Sequence, residues 1–168
     1  SLTVLGFLNQ QSISKIIASD IDYKMLEIAK ANLSLLSRDG LKRRIDELHL
    51  LYERFNKTSH KDAEESAIKL LNMIQKDIDV QLFQMNILQD IQIDISPDIV
   101  ITDIPYGDLA TWQGGTGTVS RLLESLTKIC TNETIIAICS DKKQKINCER
   151  FKRLEKQNIG KRRFEILK

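Results

Sequence analysis

Lys15-Ile16-Ile17-Ala18-Ser19-Asp20-Ile21-Asp22 places a short apolar run directly before two carboxylates. The run has the length of a buried strand. From Tyr23 the apolar residues Met25, Leu26, Ala29, Leu33 and Leu36 recur at helical spacing, and Asp22 stands where a helix takes its N-cap. Strand, acidic turn and helix therefore follow one another within about twenty residues.

Working outward, the pattern repeats. Val80 to Gln84 and Asp98 to Thr102 read as strands that stop on Met85-Asn86 and Asp103, and Thr134 to Cys139 reads as a buried strand. Val119, Leu122, Leu123, Leu126 and Ile129 predict a helix before that last strand. Leu2 to Leu8 predicts a helix at the start, and Arg163 to Leu167 a final strand, with a short helix over Phe151, Leu154 and Ile159. Between the first two strands lie two further helices. Ser37-Arg38-Asp39-Gly40 reads as a break before a helix on Leu41, Ile45, Leu48, Leu51 and Phe55. A second break at Asn56 to Ser59 precedes a helix on Ala67, Ile68, Leu71 and Ile74, with Ser59 and Asp62 at capping-box spacing. Residues 37–78 thus predict a helical hairpin inserted into an α/β chain. Strands alternating with helices imply a doubly wound, mostly parallel sheet, because such a sheet buries both faces of its strands. Ligands then bind beyond the carboxyl ends of the strands.

Composition narrows the function classes. The 168 residues suit one domain, and no apolar run reaches the roughly 18 residues of a membrane span. Cys130, Cys139 and Cys148 are odd in number and too far apart for zinc pairs, and neither His49 nor His60 has a partner at ligand spacing. No metal is expected, and reduced thiols favour a cytoplasmic address. Net charge is only +2, yet residues 141–168 hold 11 Lys and Arg against 4 Asp and Glu. Such a basic segment suits phosphates, and equally a solvated helix face.

Three strand ends carry the candidate chemistry. Asp20, followed by Ile21, stands where a nucleotide-binding sheet offers a carboxylate to ribose hydroxyls; a turn aspartate is the plainer reading. Asn86 offers an amide donor and acceptor to an adenine edge, or simply closes a turn. Thr102-Asp103-Ile104-Pro105-Tyr106-Gly107 says more. Asp103 can accept from the ring N–H and amine of guanine and take the ring proton. Pro105 stiffens the backbone, and Tyr106 can stack on an extruded base. The glycines Gly114, Gly115 and Gly117 lack the spacing of a phosphate cradle and read as a lid or substrate loop.

With these residues in place, the chain resembles the AviRa family of ribosomal RNA methyltransferases, which are Rossmann-like and depend on S-adenosylmethionine. The resemblance runs over nearly the whole chain and is most specific at Leu2 to Gly6, Ala18 to Asp22, Lys30 to Leu36, Glu53 to Lys57, Thr102 to Gly107 and Asn158 to Arg162. It implies methyl transfer to a guanine ring nitrogen of large-subunit ribosomal RNA and a link to antibiotic resistance. It places cofactor contacts at Asp20, Ile21, Asn86 and Asp103, and the target base at Asp103, Pro105 and Tyr106. Ile104 stands where many amino-methyltransferases have a first proline, which argues against an adenine amine as acceptor. The family's first strand and acidic, Gly-rich loop have no counterpart after Ser1, so the expectation is a single methyltransferase domain over 1–168 that lacks them. RNA contacts are expected on the basic C-terminal segment and on Lys42, Arg43 and Arg44. Two alternatives stand beside this reading: a non-catalytic RNA-binding module on a methyltransferase sheet, and a nicotinamide-dependent dehydrogenase, which Asp20 would serve equally well.

Overall fold

The computed structural model describes residues 2–89, 96–104, 118–144, 146 and 149–168. The chain divides into two compact units, 1–85 and 86–168.

The first unit opens with α1 (Leu2–Leu8), followed by β1 (Lys15–Asp20) and α2 (Tyr23–Ser34). Asp22 caps α2 as expected, its side chain accepting a hydrogen bond from the Lys24 backbone N–H. Next come α3 (Arg38–Phe55), α4 (Thr58–Met73) and β2 (Asp79–Gln84). β1 and β2 pair in parallel, Lys15 opposite Asp79 and Asp20 opposite Gln84. Ile16 on β1 packs with Leu33, Leu36 and Ile78, and Phe7, Ala18 and Leu82 close around them. α3 and α4 form a hairpin around buried Leu41, Leu48 and Ala67. Asn56 turns the chain between them in the left-handed region, at φ 49°.

Two helix starts differ from the sequence reading. Ser37 is the N-cap of α3 and accepts from Gly40 N–H at 3.1 Å, so Gly40 sits inside the first turn and breaks nothing. A Cβ there would lie 1.8 Å from the Ser34 carbonyl oxygen, which explains why glycine occupies a helical position. Lys57, with no side-chain cap bond, precedes α4, and Ser59 lies within the helix.

The second unit contains β3 (Ile99–Asp103), α5 (Thr118–Leu126), β4 (Ile135–Asp141), β5 (Arg153–Ile159) and β6 (Arg162–Leu167), with sheet order β3-β4-β6-β5. β3 and β4 are parallel, whereas β6 runs antiparallel to both β4 and β5. The sheet is therefore mixed rather than mostly parallel. Leu122, Leu123 and Leu126 of α5 bury Ile136 and Ile138 of β4 together with Ile104, Ile146 and Leu167. Burial alternates along β4, so the strand buries one face fully and the other in part. On that other face Ile99 and Ile101 are more than half exposed.

The helix expected over Phe151 to Ile159 is strand β5. Ile159 pairs with Arg162, leaving the two-residue turn Gly160-Lys161, with Gly160 at φ 60°. A positive φ at the first turn residue favours glycine and matches the twist of a hairpin. The ladder to β6 fixes β5, whose side chains are all exposed.

Candidate active site

Asp20 ends β1, half-buried, and its Oδ1 accepts from the Asp22 N–H at 2.8 Å. Its backbone carbonyl accepts from Met85 N–H at 3.0 Å. Ile21 follows, 43% exposed, and its carbonyl accepts from Gln84 Nε2 at 2.9 Å. Gln84 was not singled out in the sequence, yet it latches the turn that presents Asp20. It stands opposite Asp20 at the end of the paired strand, a placement that only the register reveals.

Asn86 belongs to the second unit. Its Oδ1 accepts from Leu88 N–H at 3.0 Å and its carbonyl from Gln89 N–H at 3.0 Å, the pattern of an Asx turn. Ile87 and Leu88 pack against the cluster that contains Ile104, so the residues beside Asn86 and beside Asp103 share one core.

Asp103 ends β3 and is exposed, while the next residue, Ile104, is fully buried and donates its N–H to the Cys139 carbonyl at 2.8 Å. This anchor holds the strand end while leaving the carboxylate in solvent. Cys139 lies directly opposite Asp103 in the ladder. Burial raises the Cys139 thiol above its ordinary range first; the Asp103 charge and a hydrogen bond to it add to this, and the Arg162 charge opposes. The sequence reading missed Cys139 because pairing across 36 positions is invisible without the register. The same row continues onto Phe164 of β6, 37% exposed, and Gln157 of β5.

Pro105, Tyr106 and the loop with Gly114 to Gly117 lie outside the described residues. Among the described residues no group of His, Cys, Asp and Glu is arranged to hold a metal ion, and no helix is long and apolar enough to cross a membrane. His49 instead contacts Glu64 at 3.1 Å, joining α3 to α4.

Comparison with known proteins places the chain in a family. A Streptomyces viridochromogenes protein named 23S rRNA (guanine(2535)-N(1))-methyltransferase is 35% identical over 171 residues, covering 96% of this chain and 68% of its own length. Two structures of the rRNA methyltransferase AviRa from the same organism superpose with TM-scores of 0.83 and 0.85 at 33% and 32% identity. They cover 98% and 99% of this chain and 70% of theirs. The family model for rRNA methyltransferase AviRa matches residues 1–162, and on that extent of agreement the chain belongs to the AviRa family of ribosomal RNA methyltransferases.

Proposed function

We propose that the chain is an S-adenosylmethionine-dependent methyltransferase acting on a guanine ring nitrogen of large-subunit ribosomal RNA. The observation that carries the reading is Asp103: an exposed carboxylate at the carboxyl end of a parallel strand, on a chain of this family. In the proposed reaction Asp103 accepts hydrogen bonds from the guanine ring N–H and amine, and takes the ring proton as the nitrogen is methylated. Pro105 and Tyr106 are assigned to shaping the backbone and stacking on the base. The bound cofactor supplies an activated methyl group.

Asp20 fits the cofactor's ribose by its chemistry. It is an acceptor-only group at a strand's carboxyl end, and its orientation is set by its own bond to Asp22 N–H. Ile21 would line the same place, and Asn86 would meet the adenine edge. We read the chain as one methyltransferase domain of the doubly wound, Rossmann-like type, with the α3–α4 hairpin inserted over 37–78. The β3–α5–β4 crossover between parallel strands supports that reading. A cytoplasmic address follows from the substrate.

The test is transfer of labelled methyl to a large-subunit ribosomal RNA transcript by the full-length protein and its Asp103→Ala and Asp103→Asn variants, with S-adenosylhomocysteine binding measured alongside. Loss of transfer by about 10²-fold or more, the usual weight of general base catalysis, is expected in both variants. Undiminished transfer by Asp103→Ala would remove the assignment. A full-length wild type that binds transcript but no S-adenosylhomocysteine would favour the non-catalytic RNA-binding reading.

A further inference from the structure

We propose that the phosphodiester backbone of the substrate RNA lies on a cationic rim formed by Lys142, Lys143 and Lys161, and that buried Glu165 holds this rim in position. The inference rests on the methyltransferase reading for its substrate, and on the geometry of the second unit for its place.

The rim joins two turns. Lys142 and Lys143 follow β4, and Lys161 sits in the hairpin turn between β5 and β6. Lys142 N–H donates to the Lys161 carbonyl at 3.0 Å, so the two turns form one surface, and all three lysines are exposed. Asp141, half-buried at the end of β4, is the rim's own carboxylate; its Oδ1 accepts from Lys143 N–H at 2.8 Å. Arg162 lies opposite Asp141 in the ladder.

Beneath the rim, Glu165 is fully buried between two arginines. Its Oε2 accepts from Arg153 Nε, and its Oε1 lies 3.7 Å from Arg163 Nη1. Each guanidinium reaches on to the turn after β4. Arg163 donates to the carbonyls of Gln144, at 2.8 Å, and Lys142, and Arg153 donates to the carbonyl of Ile146 at 2.8 Å. A buried carboxylate is costly unless paired, and here its two partners pin the backbone that carries the lysines.

The rim stands at the same end of the sheet as Asp103. Asp103 pairs with Cys139, and Lys142 comes three residues later, about 10 Å further along at the usual rise per strand residue. Nucleotides flanking a base held at Asp103 reach that distance. Lysines act there as point charges, suited to positioning a phosphate backbone without reading sequence. Three other exposed cations of the segment make an internal control. Arg150, Lys152 and Lys168 surround an open cavity of about 500 Å³. They lie at the opposite end of the sheet, where Lys152 pairs through its backbone with Lys168.

The experiment compares the triple variants Lys142→Gln/Lys143→Gln/Lys161→Gln and Arg150→Gln/Lys152→Gln/Lys168→Gln. Both are measured for affinity to a large-subunit ribosomal RNA transcript across a salt series. The rim triple is expected to bind at least ten-fold more weakly at moderate salt, and to flatten the slope of log affinity against log salt by about 2, the value for three phosphate contacts to a single strand. The control triple should change affinity less than two-fold. Equal losses in both triples, or none in the rim triple, overturn the proposal. Loss of binding to assembled large subunits with transcript binding intact overturns it too, because the rim would then meet ribosomal protein.

Glu165→Gln should weaken transcript binding with every lysine in place, and Glu165→Gln binding transcript like wild type would remove its positioning role. The lysine triple leaves the interior untouched and keeps the proposal testable should Glu165→Gln fail to fold. Rim-dependent binding without methyl transfer would refute the enzymatic reading alone. Transfer and binding indifferent to the rim would refute only the rim.

Discussion

Asp103, at the end of β3, and Cys139, near the end of β4, stand directly opposite each other, and the Asp103 carboxylate helps hold the Cys139 thiol above its ordinary range. Two residues far apart in the chain thus share one exposed corner, and the thiol reports on the charge of the carboxylate beside it.

Cys139 should therefore alkylate slowly. Its thiol is held above the ordinary value of 9.0 by burial first and by Asp103 next, so the reactive thiolate is scarce at pH 8. The neutral thiol is the favoured form in the folded chain. The stability it contributes is complete below the unfolded value and is lost as pH rises through the folded one. Asp103→Asn removes the neighbouring negative charge and should speed iodoacetamide labelling of Cys139 several-fold, read peptide by peptide by mass spectrometry. Cys130, raised mainly by burial and lying between α5 and β4 with no influence from Asp103, serves as the internal reference. Labelling of Cys139 that ignores Asp103→Asn would show that the carboxylate does not act on the thiol.

Two glycines should respond to alanine for different reasons. At Gly40 the added carbon would meet the Ser34 carbonyl oxygen at 1.8 Å, and backbone cannot yield as a side chain does. Gly40→Ala is expected to cost about 1–3 kcal/mol, the range for overpacking, in urea denaturation. At Gly160 nothing lies within 4 Å of such a carbon, but φ is 60°. Gly160→Ala should cost about 1–2 kcal/mol through backbone strain alone. An Asn at Gly160, which tolerates the left-handed region, should recover part of that loss, while Gly40→Asn should not.

Leu123 tests the core beneath β4. It is fully buried among Leu122, Leu126, Ile136 and Ile138. Leu123→Ala should lower stability by about 2–5 kcal/mol, measured by chemical denaturation. A loss under 1 kcal/mol would contradict close packing of α5 on the sheet.

Glu133 carries a milder electrostatic signature. Lys168 Nζ lies 2.9 Å from its Oε2, and this hydrogen bond and charge lower its pKa from 4.5. The favoured form is the carboxylate, so any stabilisation is present above the ordinary value and fades as pH falls through the depressed one. Lys168→Met should return the Glu133 titration, followed by carboxyl carbon NMR, toward 4.5. A full-surface pair of this kind adds little to stability, and the midpoint of unfolding at neutral pH should scarcely move.

How much of this was legible in the residues follows from the range of each interaction. The run Ile16 to Ser19, the cap at Asp22 and the helix after it depend on neighbours within a few positions, so propensity and periodicity exposed them. The ends of β2 and β3 were readable for the same reason, which is why Asp20, Asn86 and Asp103 were recognised as strand-end polar groups. The basic bias of residues 141–168 was also plain by counting. Long-range pairing was not. β5 has no buried side chain and no alternation to announce it; its ladder to β6 makes it a strand. Gly40 looked like a break because the close approach of Ser34 is a packing fact. Cys139 acquires its meaning only through register with Asp103. Glu165 seemed one more charge in a basic segment until folding buried it between Arg153 and Arg163. Local hydrogen bonding and hydrophobic periodicity are written in adjacent residues. Which charges are withdrawn from water, and which are left to face a ligand, depends on strands that meet only after the chain has closed.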